Sequence, residues 1–337
     1  MNRSEIVAHV VRGPIVESKH HGHLAVVDHR GHVKYAVGQP DVFTFIRSTA
    51  KPLQAISVVE SGAARGLAQQ QIALLCASHG GEPGHTEAAH AILASLGLTA
   101  EALTCGAHEP FHAPTAAAMR ARGECPTALH NNCSGKHAGM LALAAMYEAD
   151  IGSYASPNHP VQLQMRKTVA DMCEFPEDRL ALGTDGCGVP VFGMPLDRLA
   201  RAYARFGQPD DLGSSRVKAI NLIKDAICNY PYFIAGTGRF DTKLIEVTQG
   251  RIIGKMGAEG VFALTCPDAN LGLAVKIEDG SERALYPVVM EALIQLDMLK
   301  AAEIAELQAF HTPKVTNWKG TEVGAILPQF QLRQYAP

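Results

Sequence analysis

The segment Arg47-Ser48-Thr49-Ala50-Lys51-Pro52 places a serine hydroxyl and a lysine amine three residues apart, where a helix is predicted to begin. Residues i and i+3 lie on one face of a helix, so Ser48 and Lys51 can meet. Serine is a poor nucleophile until a base removes its proton, and a lysine can be that base if burial or a nearby cation lowers its pKa. The segment therefore predicts a serine–lysine pair, although a solvated helix start with Ser48 as the N-cap explains the same residues.

The composition indicates a globular protein and excludes several other classes. Of the 337 residues, 47% are hydrophobic and 19% are charged, and the formal net charge is -3. No block of lysine and arginine points to nucleic acid, and no apolar run is long enough to cross a membrane. The N-terminus lacks the apolar core of a signal peptide, and eight cysteines are too sparse for a disulfide scaffold. We therefore expect a cytoplasmic protein with reduced thiols and no nucleic-acid or membrane partner.

Hydrophobic patterns predict strands near both ends of the chain and helices between them. The predicted strands are 6–12, a hairpin over 23–37, 180–183, 244–249, 251–255, 260–266 and 271–277. The predicted helices are 49–60, 68–76, 85–96, 114–122, 138–147, 160–173, 195–206, 214–228, 282–296 and 301–309, followed by an irregular tail. We predict an α/β (α+β) fold with one antiparallel sheet, built from both chain ends and covered by helices. The chain would be a single domain, 1–337, with a sheet subregion of about 1–46 and 240–337 and a mainly helical subregion of about 47–239.

Polar, glycine-containing segments follow several of these predicted elements, and such loops commonly build sites. The segments are 77–85 with Ser78 and His79, 130–137 with Cys133, Lys136 and His137, 184–190 with Asp185 and Cys187, and 254–260 with Lys255. Judged from the residues alone, the two cysteines are ordinary structural thiols.

The order of these residues along the chain matches a known catalytic arrangement. A Ser-x-x-Lys helix, a later loop serine and a Lys-x-Gly strand occur in this order in penicillin-binding proteins and serine β-lactamases. In that arrangement Ser48 and Lys51 form one pair, and Ser78 and Lys255 form a second pair that carries protons. Two neighbouring ammonium groups lower each other's pKa, so one lysine can be neutral. Backbone N–H groups near the first helix and on the late strand can hold an oxyanion.

Five motifs together resemble the rhizobial-type L-asparaginase II family. They are Arg47-Ser48-Thr49-Ala50-Lys51-Pro52, Cys76-Ala77-Ser78-His79-Gly80-Gly81-Glu82, Asn131-Asn132-Cys133-Ser134-Gly135-Lys136-His137, Gly183-Thr184-Asp185-Gly186-Cys187-Gly188-Val189-Pro190 and Lys255-Met256-Gly257-Ala258-Glu259-Gly260. The resemblance covers nearly the whole chain. It departs at Met256, where threonine is the more familiar residue.

The resemblance implies a serine β-lactamase- and glutaminase-like fold, a homodimer, and hydrolysis of L-asparagine to L-aspartate and ammonia through a serine acyl-enzyme. It implies Ser48 as the nucleophile with Lys51 as its base, and Ser78 with Lys255 as the second pair. It implies a zinc ion bound by Cys133, Lys136 and Cys187. Substrate would be positioned by Arg47, His79, His137 and Asp185.

Two alternatives stay open at this point. A related amidase, such as a glutaminase, would use the same residues, because pocket depth cannot be read from a sequence. The second alternative is a protein that binds zinc or an amino acid without catalysis, although binding alone does not require two serine–lysine pairs. The sequence also leaves open which lysine deprotonates the nucleophile, and whether the zinc is catalytic, structural or facultative.

Overall fold

The computed structural model describes residues 4–335, which form two compact units. Unit 1 comprises the chain up to Thr49, Gly193–Gln208 and the chain from Val247 onward. Unit 2 comprises Ala50–Phe192 and Pro209–Glu246. The single domain stays a prediction, and two segments differ from its expected subregions: residues 193–208 pack with the sheet, and 240–246 pack with the helices. None of the helices between residues 4 and 335 has the length and apolar character of a membrane span.

The strands and helices are numbered here in chain order. The strands are β1 (Glu5–Arg12), β2 (Ile15–Asp28), β3 (Val33–Val37), β4 (Phe43–Phe45), β5 (Ala181–Thr184), β6 (Pro190–Pro195), β7 (Ile253–Gly257), β8 (Val261–Cys266), β9 (Leu271–Ile277), β10 (Lys314–Thr316), β11 (Glu322–Pro328) and β12 (Arg333–Gln334). The helices are α1 (Lys51–Glu60), α2 (Gln69–Leu75), α3 (Pro83–Ser95), α4 (Ala113–Ala121), α5 (Ser134–Met146), α6 (Pro160–Cys173), α7 (Leu196–Gly207), α8 (Ser214–Asn229), α9 (Tyr232–Ala235), α10 (Phe240–Val247), α11 (Glu282–Gln295) and α12 (Ala301–His311).

Unit 1 is built on an antiparallel sheet whose strands come from both chain ends. Its order is β10-β11-β1-β2-β9-β8-β7, and β1 pairs with β11 so that Val10 lies opposite Ile326. Helix α7 packs on β2, β8 and β9, and α11 packs on β9 and β11. Close approach of α7 requires Gly272, where a Cβ atom would lie 2.1 Å from the carbonyl oxygen of Ala200. The predicted mixed α/β fold, with an antiparallel sheet from both chain ends covered by helices, is confirmed. The expectation of a single sheet is wrong, because β4 pairs with β6 in a separate sheet in which Thr44 lies opposite Met194.

Unit 2 consists mainly of helices arranged around α1. Helix α1 packs against α5, α6 and α8, and its Leu53 and Ile56 side chains are fully buried. Burial of each such side chain contributes roughly 1.5–3 kcal/mol to stability. The first turn of helix α5 packs closely against α2. A Cβ atom at Gly135 would lie 2.3 Å from the carbonyl oxygen of Leu74, so this position requires glycine. This contact places the segment around Cys133 beside the segment that leads into Ser78.

Three local predictions are wrong. Residues 244–249 are not a strand, since most of them lie in α10, which buries Phe240 and Leu244 at the i, i+4 spacing of a helix. The tail is not irregular, because β10, β11 and β12 join the sheet of unit 1. Ser48 is not the N-cap of α1: the N-cap is Ala50, which has helical backbone angles, and Ser48 lies in the preceding 3-10 turn Arg47–Ala50.

Candidate active site

Ser48 lies half-buried in a 3-10 turn that is held from several directions. The amide and hydroxyl of Thr49 both donate to the Ile46 carbonyl, at 3.2 and 2.5 Å. Tyr203 of α7 donates its hydroxyl to the Thr49 carbonyl at 2.9 Å. Strand β7 lies against the other side, since a Cβ atom at Gly257 would lie 3.2 Å from the Ser48 nitrogen. The Ser48 hydroxyl is therefore carried on a rigid backbone.

Strand β7 places Lys255 on the sheet face that meets this turn. Side chains two residues apart on a strand share a face, so Lys255 shares the face of Gly257 and Met256 points to the opposite one. Lys255 is 1% exposed and donates to the Met256 carbonyl at 2.8 Å. Arg47, at a φ of 48°, brings its guanidinium within 4.0 Å of the Glu259 carboxylate. Unit 1 thus brings Arg47, Ser48 and Lys255 to one region of the sheet.

Lys51 opens α1 in unit 2 and reaches a set of oxygen acceptors although only 1% of it is exposed. Its ammonium donates to the Ala77 carbonyl at 2.6 Å, the Ser78 hydroxyl at 2.9 Å and the Asn132 carbonyl at 3.4 Å. The Lys51 side chain is also hydrogen-bonded to Cys133, and these contacts together fix its nitrogen beside the Ser78 hydroxyl. The contact between Lys51 and Ser78 was not predicted, because the sequence reading paired Lys51 with Ser48 and Ser78 with Lys255.

His79 braces the Ser78 turn against the start of α5. Its Nδ1 accepts the Gly81 amide at 3.1 Å, so the proton sits on Nε2, which donates to the Ser134 hydroxyl at 2.9 Å. Ser134 in turn donates to the Leu129 carbonyl. Burial, and then the positive charge of nearby groups that include Lys51, hold the pKa of His79 well below its usual value. The ring is therefore a neutral spacer in this arrangement.

The neutral state of His79 predicts acid sensitivity of the fold. In the unfolded chain the histidine pKa is about 6.5, so below that pH the unfolded state gains a proton that folded His79 does not. Stability is thus fully present above pH 6.5 and falls as the pH is lowered. His79→Gln should make the pH dependence of the unfolding free energy shallower, by up to about 1.4 kcal/mol per pH unit. Urea unfolding between pH 5 and 8 measures it; exposed His90→Gln is the control, and an unchanged slope in His79→Gln would contradict the assignment.

Two thiols and an amine meet where α5 begins and the β5–β6 turn passes. Cys133 and Cys187 are each 5% exposed, and Lys136 lies 3.1 Å from the Cys187 sulfur and 4.0 Å from the Asp185 carboxylate. A hydrogen bond from the Cys187 thiol, with the charges of Lys51 and Lys136, holds the pKa of Cys133 well below its usual value. That same bond raises the pKa of Cys187. Burial lowers the pKa of Lys136, but the negative charges of Cys133, Cys187 and Asp185 together outweigh it, and the net shift is upward.

The thiol–amine cluster is an incomplete metal site by residue type. Residues 4–335 contain no group of three or more histidine, cysteine, aspartate or glutamate side chains placed to hold a metal ion. The cluster offers two soft sulfur donors, which suit zinc, and a lysine that must lose its proton to coordinate. The donor types fit zinc with water as a further ligand.

His137 and Tyr154 form a buried pair behind this cluster. The Tyr154 hydroxyl and His137 Nδ1 share a hydrogen bond of 2.6 Å, and both side chains are fully buried. Burial holds the pKa of His137 well below its usual value. Among the described residues, His137 Nε2 has no hydrogen-bond partner. The sequence reading missed Tyr154, because its role depends on a contact between residues that no motif links.

Within unit 2 the structure gathers the other predicted residues into one cluster around Lys51. They are Lys51, Ser78, His79, Cys133, Lys136, His137, Asp185 and Cys187. A further residue, Glu82, was quoted in a motif but assigned no role, and it is 6% exposed beside the Ser78 turn.

Comparisons with known proteins agree with the motifs. The sequence profile of the L-asparaginase II family matches residues 8–328. No curated protein matches the chain. Among solved structures, a β-lactamase from Mycobacterium bovis is similar with a TM-score of 0.42 and 14% identity, over 86% of this chain and 95% of that one. A D-alanine carboxypeptidase AmpC from Burkholderia cenocepacia is similar with a TM-score of 0.40 and 13% identity, over 80% and 93%.

Proposed function

The chain belongs to the L-asparaginase II family, and on this premise we propose that it hydrolyses L-asparagine to L-aspartate and ammonia through a serine acyl-enzyme. The observation that carries the proposal is the buried contact between the Lys51 ammonium and the Ser78 hydroxyl at 2.9 Å. A family of amidohydrolases needs an activated nucleophile, and a lysine held among oxygen acceptors can exchange protons with a serine.

Ser48 is the proposed nucleophile. It is half-buried rather than enclosed, and it precedes Lys51 by three residues. Its oxygen attacks the side-chain amide carbon of asparagine while its proton passes to a lysine. The tetrahedral intermediate collapses, and the amide nitrogen takes a proton and leaves as ammonia. Water, deprotonated by the same base, then attacks the acyl ester and releases aspartate.

Lys51 is the proposed base and Ser78 the group that shuttles its proton. The Ser78 hydroxyl accepts from Lys51 and keeps its own proton available for donation. Lys255, buried on β7, is proposed as the second lysine. Its positive charge would favour loss of a proton from Lys51. The amide of Ser48 and the neighbouring amides of β7 would hold the oxyanion.

The charged groups of an amino-acid substrate have candidate partners. Arg47 can grip the α-carboxylate through paired hydrogen bonds, and Asp185 can accept from the α-amino group. Burial holds the pKa values of His79 and His137 well below the usual value, so both would stay neutral and leave Arg47 and Asp185 as the proposed charged partners of the zwitterion.

Ammonia release tests the proposal and separates it from its alternatives. Asparagine, glutamine and a no-substrate control would be compared with the purified protein. Because one methylene in a fitted pocket changes kcat/KM by roughly 10–200-fold, asparagine should exceed glutamine by about 10-fold or more. A preference for glutamine would make the protein a glutaminase, and no ammonia from either would favour a binding protein.

The zinc site is proposed to comprise Cys133, Lys136 and Cys187. A bound zinc ion would supply positive charge and Lewis acidity beside the substrate pocket. Binding would require loss of protons from Lys136 and Cys187, since both hold them in the present arrangement. Asp185, 4.0 Å from the Lys136 nitrogen, would orient that ligand.

Cys187→Ala is expected to weaken zinc binding more than the roughly 10–100-fold that loss of an outer-shell partner costs. Zinc bound after equilibrium dialysis would be quantified by elemental mass spectrometry. This measurement does not depend on enzymatic activity. Cys125→Ala is the matched control, because Cys125 is an exposed free thiol. Equal zinc content in Cys187→Ala and wild type would show that Cys187 is not a zinc ligand.

We also propose a cytoplasmic homodimer. The family resemblance supports the dimer, and the free state of the cysteines agrees with a reducing compartment. Sedimentation at a mass of a single 36.0 kDa chain would contradict the dimer.

A further inference from the structure

The buried carboxylate of Glu82 connects two chain segments near Ser78: its own segment and the one around Thr237. Glu82 is 6% exposed and accepts the Thr237 amide at 2.9 Å through one oxygen and the Thr237 hydroxyl at 2.6 Å through the other. The two residues are 155 positions apart. Hydrogen bonds to a charged acceptor are stronger than neutral ones, so this double bond is a firm connection.

The backbone around the carboxylate is shaped to receive it. Gly236 has a φ of 106°, and a Cβ atom there would lie 2.2 Å from one oxygen of Glu82. A Cβ atom at Gly80 would lie 3.2 Å from the same oxygen. Rings of His85 and His112 bring their Nδ1 atoms to 4.0 and 3.8 Å. The loops therefore close directly onto the Glu82 carboxylate.

The same two segments are also joined by a hydrogen bond at Ser78. The Ser78 amide donates to the Ile234 carbonyl at 2.9 Å, three residues before Thr237. On its other side the Ser78 hydroxyl accepts from Lys51 at 2.9 Å. The segment over residues 234–237, which runs from the end of α9 into the following turn, is thus held at both of its ends to the segment that carries Ser78 and Glu82.

We infer that Glu82 is a positioning residue for the Ser78–Lys51 contact, acting through its double hydrogen bond to Thr237. The inference rests on the function proposed above, since it assigns Ser78 and Lys51 to proton transfer. Glu82 itself does not touch the reacting atoms in this assignment. It fixes the segment over residues 234–237, whose Ile234 carbonyl accepts the Ser78 amide and so sets the position of the Ser78 backbone.

The test compares Glu82→Leu, Thr237→Val and Thr237→Ser with wild type in asparagine hydrolysis. Leucine removes both acceptor oxygens of Glu82, valine removes the hydroxyl of Thr237, and serine retains that hydroxyl. Since a small misplacement of a catalytic group costs about 10²-fold, kcat should fall by about 10²-fold in the first two variants while KM changes little. Thr237→Ser should recover most of the wild-type kcat.

Matched controls separate the possible outcomes. Thr86→Val removes a hydroxyl that donates to the Pro83 carbonyl, and it should keep wild-type kcat. Hydrogen exchange of the peptide over residues 77–82 gives a readout that needs no activity, and it should speed up in Glu82→Leu and Thr237→Val. An inactive wild type would refute the proposed function rather than the contact between Glu82 and Thr237. An active wild type with unchanged kcat in Glu82→Leu and Thr237→Val, or a Thr237→Ser variant as slow as Thr237→Val, would overturn the inference.

Discussion

Ser48→Ala is expected to reduce asparagine hydrolysis by about 10⁴-fold or more, because removal of the nucleophile from a catalytic set that acts as a unit eliminates nearly all of its rate enhancement. The change removes one oxygen atom and leaves the 3-10 turn intact, since the turn is held by Thr49 and Tyr203 rather than by the Ser48 side chain. The measurement is kcat by ammonia release, with circular dichroism to verify the fold.

Two serine controls sharpen this result. Ser156 is exposed, and Ser156→Ala should retain full activity. Ser78→Ala should lose activity as well, because it removes the hydroxyl that accepts from Lys51. Ser48→Ala with more than about one tenth of wild-type kcat would be incompatible with nucleophilic catalysis by this residue.

The second large effect is expected at Lys51. Lys51→Met should lower kcat by about 10³-fold, within the range that general acid–base groups contribute. Lys51→Arg is the informative partner, because arginine retains the positive charge but is not deprotonated in proteins. Both variants should be inactive if Lys51 is a base.

Stability measurements must accompany both variants. Lys51 is buried and donates to the Ala77 carbonyl, so Lys51→Met removes the donor from a buried acceptor, whereas the Asn132 carbonyl keeps its bond from the His79 amide. Exposed Lys243→Met, outside this cluster, is the matched control. Substantial activity in Lys51→Arg would show that Lys51 supplies charge only, and would transfer the role of base to Lys255.

Much of the fold followed from local patterns. The strand at Glu5–Arg12 and helix α6 matched their predicted spans closely because alternation or helical spacing ran unbroken through them. Helix α10 was misread because its short apolar pattern fits either period. Strand β11 was missed because its pairing with β1 joins the two ends of the chain, and no local signal reports such a pairing.

The contacts of the candidate site were harder to predict than its residues. The contact between Ser78 and Lys51 was not predicted, because a motif spacing reports only residues that are close along the chain. The pairing of Lys51 with Ser48 stays a prediction. The tie between Glu82 and Thr237 depends on loops that meet only in the folded chain, so the motif around Glu82 could show the residue but not its partner.

Trapping of the acyl-enzyme tests the central claim most directly. Wild-type protein would be mixed with asparagine, quenched in acid during turnover, digested, and searched by mass spectrometry for an aspartyl ester. We expect an ester on the peptide that contains residues 47–52, localised to Ser48 and absent from Ser48→Ala. An ester on Ser78 instead, or ammonia release with no ester on either serine, would contradict it.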